Sequence, residues 1–532
     1  MTRFPFVAII KIIVCIIVIV FFFLRLYKEK KIKRDSRTAK SHPAKLAFLI
    51  LVAILSVGSY FNFFQFHLNR ANRSHFINYN EFIIHYLGSK YFDELGYFNL
   101  YNAIVVADAE TSNVLADDQK VRDLKSYRYI SKKDILSNSA YYKSLFSSSR
   151  WHQFTSDITA LVRQCGSGLI LEMVLVDHGY HTTPVWNTTA SILSNYIPVD
   201  RIIFLALLDV FLLVLMFYAV SVSFGIEVML IGLIYFSVNY ISSFSWIGGA
   251  FLRYDWFVAL VLALCMINSK RYAWAGVCIS YAAMVRIFPV LFLAGPLVKG
   301  IDKICRKKKF PDEYKRFFAA FVITSLILFG YSCIHAKCPQ RWLDFKEKIT
   351  FQNETLLANN VGFKVILLSD RTWSDIDSFM GKYGKPGEDA FNSMNDVKRE
   401  EIHARSREFM LYAICFLVLF FLLVRTKDDT ESLAWGIFLM FTLLMPLSYY
   451  YIVLMMLVLI FYKRPITPGN TSYLTIIFLI QIISFLLSSK LTFLMPFFIV
   501  SFMLFGYLLY LAIVEIYKDS RLENSAKINT VP

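Results

Sequence analysis

The chain has 532 residues, 57% of them hydrophobic and 18% charged, with a formal net charge of +17. A soluble fold of this length carries more charge, and here the apolar residues fall in blocks near the roughly 20 residues that cross a bilayer. That excludes soluble classes and barrels, whose strands would show short alternating segments; the basic residues cluster in loops between blocks, which speaks for membrane orientation and against nucleic acid.

The first block runs from Phe4 to Leu26. It is too long for a signal-peptide core and lacks a small-residue cleavage site, so it reads as a transmembrane helix. The run Lys28, Lys30, Lys31, Lys33, Arg34, Arg37, Lys40 and Lys45 then marks the cytoplasm. Residues 1–45 are thus an N-terminal helix and a basic cytoplasmic loop, and residues 46–65 a helix returning outward. Residues 66–199 are mixed, aromatic and too long for a connector, and are expected to form a mostly helical extracytoplasmic subdomain. A transmembrane bundle is expected over 200–334, a second extracytoplasmic loop over 335–408, C-terminal transmembrane helices over 409–516 and a cytoplasmic tail over 517–532. The spans in these stretches include 202–220, 288–298, 433–447 and 449–461. The fold class is all-α, a polytopic transmembrane helix bundle of about 11–13 spans.

Under this assignment every basic cluster lies on one side. The chain is expected to be a multi-pass protein of a bacterial inner membrane, with its N-terminus and long loops extracytoplasmic and its C-terminus cytoplasmic. The eight cysteines show no CxxC pair and no zinc spacing. Cys165, Cys333 and Cys338 fall at or beyond the outer face, where a disulfide can form.

The most informative segment follows the second helix. It reads Tyr79-Asn80-Glu81-Phe82-Ile83-Ile84-His85-Tyr86-Leu87-Gly88, then Leu95-Gly96-Tyr97-Phe98-Asn99-Leu100-Tyr101. In a helix Glu81, His85 and Gly88 share a face. That face is either a carboxylate and imidazole poised for general-base work or simply a solvated surface. Asp177-His178-Gly179-Tyr180-His181 forms a polar knot that reads as a hydrogen-bonded turn or sugar contact, with no metal expected. Four further stretches follow: Thr182-Thr183-Pro184-Val185-Trp186, Ala283-Met284-Val285-Arg286-Ile287-Phe288-Pro289, Asn359-Asn360-Val361-Gly362 and Met445-Pro446-Leu447-Ser448-Tyr449-Tyr450-Tyr451.

In this order, over roughly residues 79–457, the stretches resemble the polyprenol-phosphate-mannose-dependent alpha-mannosyltransferases, a branch of the GT-C superfamily of membrane glycosyltransferases. Where that family has an aspartate base, this chain has Glu81, a longer carboxylate that still accepts a proton. The resemblance implies a GT-C-like fold that moves a hexose or pentose from a polyprenyl-phosphate donor in the membrane to an extracytoplasmic glycan or glycolipid acceptor. It implies no cofactor beyond the lipid-linked sugar itself. Glu81 would deprotonate the acceptor, with Asp93 in reserve. His85, Asp177, His178, Trp186, Asn359, Asn360, Tyr449 and Tyr450 would contact sugar or acceptor.

A lipid-phosphate donor needs cations to hold its phosphate as it leaves. Arg286, which interrupts an apolar run, and Arg253 are the candidates, since ionisable residues in such runs are costly and usually functional. Arg253 could instead pair with Asp255 or reach headgroups. Two other functions stay open: a transporter or flippase for an anionic lipid or small solute, and a catalytically silent membrane subunit.

Overall fold

A computed structural model of the chain describes residues 5–35, 43–68, 74–166, 168–307, 310–334, 338–357, 359–368, 390–488 and 495–528. Arg37, Lys40, Lys308, Lys309 and most of the second long loop's middle lie outside them. The described chain is almost entirely helical, as a lipid-embedded backbone must be when lipid offers its N–H and C=O groups no partner.

Seven of the described helices are long and apolar enough to cross a membrane: Pro5–Lys31, Pro43–Tyr60, Val199–Phe224, Asp312–Ser332, Ser406–Val424, Pro468–Ser488 and Met495–Arg521. Four shorter apolar helices, Ile226–Val238, Asp255–Asn268, Tyr272–Val285 and Ser448–Lys463, pack among them. At 1.5 Å per residue such helices reach only about 20–24 Å, short of the ~30 Å hydrocarbon core. Length alone therefore supports seven spans rather than the expected 11–13.

Three expected spans take other forms, each for a local reason. Residues 288–298 are not a single α-helix: Phe288–Leu293 is a 3-10 turn that leads into Ala294–Lys307, and Pro289, without an N–H, cannot continue the helix that ends at Val285. Residues 433–447 divide into Asp429–Ala434 and Gly436–Leu443, and Leu444 is already extended ahead of Pro446. Residues 449–461 begin as the 3-10 turn Ser448–Leu454 and become helical only over Met455–Lys463.

Charge collects at one end of the bundle. There Lys45 meets Glu227 at 2.5 Å, Arg464 meets Glu431 at 2.6 Å and Glu515 at 3.0 Å, and Lys427 meets Glu515 at 2.7 Å. The opposite end of Pro43–Tyr60 carries Tyr60, bonded to Tyr254, and leads into the 66–199 segment. That segment holds two small antiparallel hairpins, His67–Leu68 with Ser74–His75 and Lys120–Arg122 with Tyr129–Ser131. Its helices include Leu100–Glu110, Ser148–Cys165 and Pro184–Tyr196. Ser147 and Thr183 cap the latter two through their side chains. Of the three cysteines expected at the outer face, Cys333 and Cys338 form a disulfide, while Cys165 is buried.

Candidate functional site

The site is built on three stretches of chain at the end opposite the charge networks. The first is the helix that follows the first hairpin. Asn78 caps it by accepting the Glu81 N–H, and Tyr79–Phe82 then widens into a π-helical turn over Ile83–Leu87. Such turns insert one residue's worth of slack and recur at functional sites. Glu81 and His85 face each other across it: His85 Nδ1 lies 3.1 Å from the Glu81 carbonyl oxygen and 3.2 Å from Oε2. Gly88, one turn on, lies directly under the Tyr180 ring, where a Cβ would sit 2.5 Å from Tyr180 Cδ2. The small residue lets Tyr180 pack down and donate to Asn187 Oδ1 at 2.5 Å.

The second stretch is the loop before Asp255–Asn268, which presents Arg253. It is pinned from several directions. Gly249, at φ +66°, sits so close to Phe76 that a Cβ would lie 1.9 Å from its carbonyl oxygen. Trp186 Nε1 donates to Leu252 O, and Trp256 Nε1 to Arg253 O. From inside the Val199–Phe224 helix the Asp209 carboxylate accepts the backbone N–H groups of Arg253 and Tyr254 at 2.8–3.1 Å. Asp209 was not singled out in the sequence, although an acid within an apolar helix was the signal for it.

The third stretch is the end of Tyr272–Val285, where Arg286 leaves the helix in an extended conformation. Arg253 and Arg286 line one small pocket with Ile247, Tyr254, Trp256, Tyr449, Tyr450 and Ile452. Both arginines are only 7% exposed. Arg253 Nε lies 3.3 Å from Glu81 Oε2, and its Nη2 donates to the Tyr449 hydroxyl at 3.1 Å. Arg253 Nε and Nη1 and Arg286 Nε and Nη2 are buried without a hydrogen-bond partner. The Trp186 ring lies 6.0 Å from the Arg286 guanidinium carbon, and the Asp255 carboxylate is close enough to feel its charge. In place of the alternative pairing with Asp255, Arg253 meets Glu81 and Tyr449; Asp255 accepts from Trp256 N–H and the Tyr281 hydroxyl.

The pocket wall is aromatic. Tyr450 packs 4.6 Å from Tyr449, 5.2 Å from Trp256 and 4.7 Å from Phe288. Trp186 meets the His85 ring edge-on at 5.7 Å, and His181 lies 6.2 Å from it. Glu81, His85, Trp186, Arg253, Arg286, Tyr449 and Tyr450 therefore converge.

The remaining candidates do not join them. Asp93 is 65% exposed and pairs with Arg341 at 2.7 Å, so it is engaged elsewhere as a reserve base. Asn360 spends its side chain on backbone, accepting Leu357 N–H and donating to Met445 O, while Asn359 O accepts Ser448 N–H. These bonds brace the stretch ahead of Tyr449. Asp177 accepts the His178 N–H, and His178 packs against Tyr127. Both belong to the turn beside the site. Among the described residues no group of three His, Cys, Asp or Glu side chains could hold a metal.

Electrostatics divide the pair on the first stretch. Burial would raise the Glu81 carboxyl, but Arg253 first and then His85 overcome it and hold the group at about 2. His85 is pushed below the usual imidazole value by burial, with Arg253 and Arg286 adding to that against the pull of Glu81. At neutral pH the site thus holds a carboxylate, a neutral imidazole and two guanidinium groups. An unpaired buried charge costs several kcal/mol, on the order of what one good partner returns. Asp255 adds a second carboxylate that both arginines feel, yet Arg253 Nε and Nη1 and Arg286 Nε and Nη2 keep no hydrogen-bond partner among the described residues.

Comparison with protein families, curated proteins and solved structures gives no match. The chemistry of the site has to be read from its own groups.

Proposed function

We propose that this chain is a GT-C-like integral membrane glycosyltransferase that moves a sugar from a polyprenyl-phosphate donor to a hydroxyl acceptor on the extracytoplasmic side. One observation carries the reading: two buried arginines present unbonded N–H groups to one pocket, beside a carboxylate–imidazole pair. A phosphate monoanion or dianion satisfies those donors, and guanidinium groups suit phosphate by their planar, forked geometry. Ile287 and Val290, next to Arg286, are exposed and apolar, which suits a donor whose tail stays in lipid. Tyr449, Tyr450 and Trp256 offer ring faces for a sugar.

In the reaction the acceptor oxygen attacks the anomeric carbon, the bond from that carbon to the phosphate oxygen breaks, and the electron pair leaves on the phosphate. Arg286 and Arg253 stabilise that developing charge. The Glu81–His85 pair receives the acceptor proton.

The test uses full-length protein in lipid nanodiscs with polyprenyl phosphate and radiolabelled polyprenyl-phosphate hexoses or pentoses. Saturable polyprenyl-phosphate binding and sugar transfer support the reading. Binding without transfer from any donor would favour a lipid-handling or silent subunit, and no binding would end the phosphate assignment.

A further inference from the structure

The resemblance points to the carboxylate as the base, but the geometry around it does not suit that task. Glu81 Oε2 is already shared between Arg253 Nε and the His85 ring. A carboxylate held near 2 is a weak proton acceptor at neutral pH. His85 is arranged in the opposite sense. Its Nδ1 faces two oxygens of Glu81, the carbonyl and the carboxylate, which can only accept. Nδ1 must therefore carry the ring proton, and in a neutral imidazole Nε2 is left with a free lone pair. That Nε2 is buried and has no partner. The ring is held from its sides by Tyr180, His181 and Trp186, so the lone pair has a fixed direction.

We propose that His85 Nε2 takes the acceptor's proton and that Glu81 is a positioning residue, fixing the ring's tautomer and stabilising the imidazolium that forms. This rests on the glycosyl-transfer reading. As the acceptor oxygen bonds to the anomeric carbon, its proton moves to Nε2, the leaving electron pair goes to the phosphate, and the imidazolium later gives its proton to water. Asn80 Oδ1, beside Glu81, is buried without a hydrogen-bond partner among the described residues and is open to an acceptor hydroxyl.

The groups facing His85 are Glu81 on its own helix, Arg253 and Arg286 from the two arginine-bearing stretches, and His181 from the turn before Pro184. Both arginines oppose protonation of the ring and Glu81 favours it. The wild-type rate should accordingly fall with decreasing pH through a limb below about 6.5, the ordinary imidazole value. Glu81→Gln keeps an acceptor for Nδ1–H but removes the charge, so that limb should move to lower pH while measurable transfer persists. His85→Gln should lose about 10²–10⁴-fold in rate, the usual worth of a general base, while still binding polyprenyl phosphate.

A wild-type rate that stays flat down to about pH 4 would overturn the proposal, and so would near-wild-type transfer by His85→Gln. Either result with intact wild-type transfer returns the base to Glu81 and leaves the glycosyl-transfer reading standing. A wild type that neither binds polyprenyl phosphate nor transfers sugar removes both.

Discussion

At the scale of single residues, the site is decided by which buried charges have partners. Arg286 Nε and Nη2 make no hydrogen bond among the described residues, so Arg286→Ala removes donors that the fold leaves open. Polyprenyl-phosphate affinity should drop about 10–100-fold, the worth of a charged hydrogen bond, with folded yield little changed. Asp209 works differently, because it holds the backbone from which Arg253 projects. Asp209→Ala strands two buried N–H groups and should cost about 1–3 kcal/mol, read as a lowered Tm together with weaker anion binding. Glu81 adds a pH dependence to stability. Its folded value of about 2 lies below the ordinary 4.5, so its contribution is present above about 4.5 and lost as pH falls toward about 2. Tm measured against pH should show wild type above Glu81→Gln near neutrality, with the gap closing in acid.

At the scale of elements, the sequence placed Glu81, His85 and Gly88 on one face because spacing alone does that. It could not show the π-helical turn, which depends on how Tyr180, Trp186 and Phe251 pack around it. Arg253 and Arg286 were legible as cations against apolar runs, and they do share a pocket. That the Asn360 amide is engaged by backbone was not legible, because a motif says nothing about which bonds an amide makes. The broken helices were missed for a related reason: hydropathy averages over Pro289 and Pro446, while backbone geometry does not. Gly88 offers a test at this scale. In Gly88→Ala the added Cβ collides with the Tyr180 ring, which should loosen the wall beside His85. Transfer should fall by at least about tenfold and Tm by several degrees, checked by rate and thermal melt on the same preparation.

At the scale of the whole molecule, helix ends sort into a face that joins Lys45, Lys427 and Arg464 to acidic partners and a face bearing the 66–199 segment and the site. The basic-residue rule predicts that the face with Lys45, Lys427 and Arg464 is cytoplasmic. A cysteine introduced at Lys143, on the exposed part of the 66–199 segment, should react with an impermeant reagent in intact cells. One at Lys270 should react only after permeabilisation. The reverse pattern would place the site on the cytoplasmic side and invert the proposed topology.

The central claim is that Arg253 and Arg286 together form a phosphate site for a lipid-linked donor. Its most direct test is equilibrium binding of polyprenyl phosphate to nanodisc-held wild type and Arg286→Ala, with uncharged polyprenol as the comparison lipid. The account predicts saturable wild-type binding that the phosphate is required for and that Arg286→Ala weakens about 10–100-fold. Equal binding of polyprenol and polyprenyl phosphate, or equal affinity in the two proteins, would contradict it.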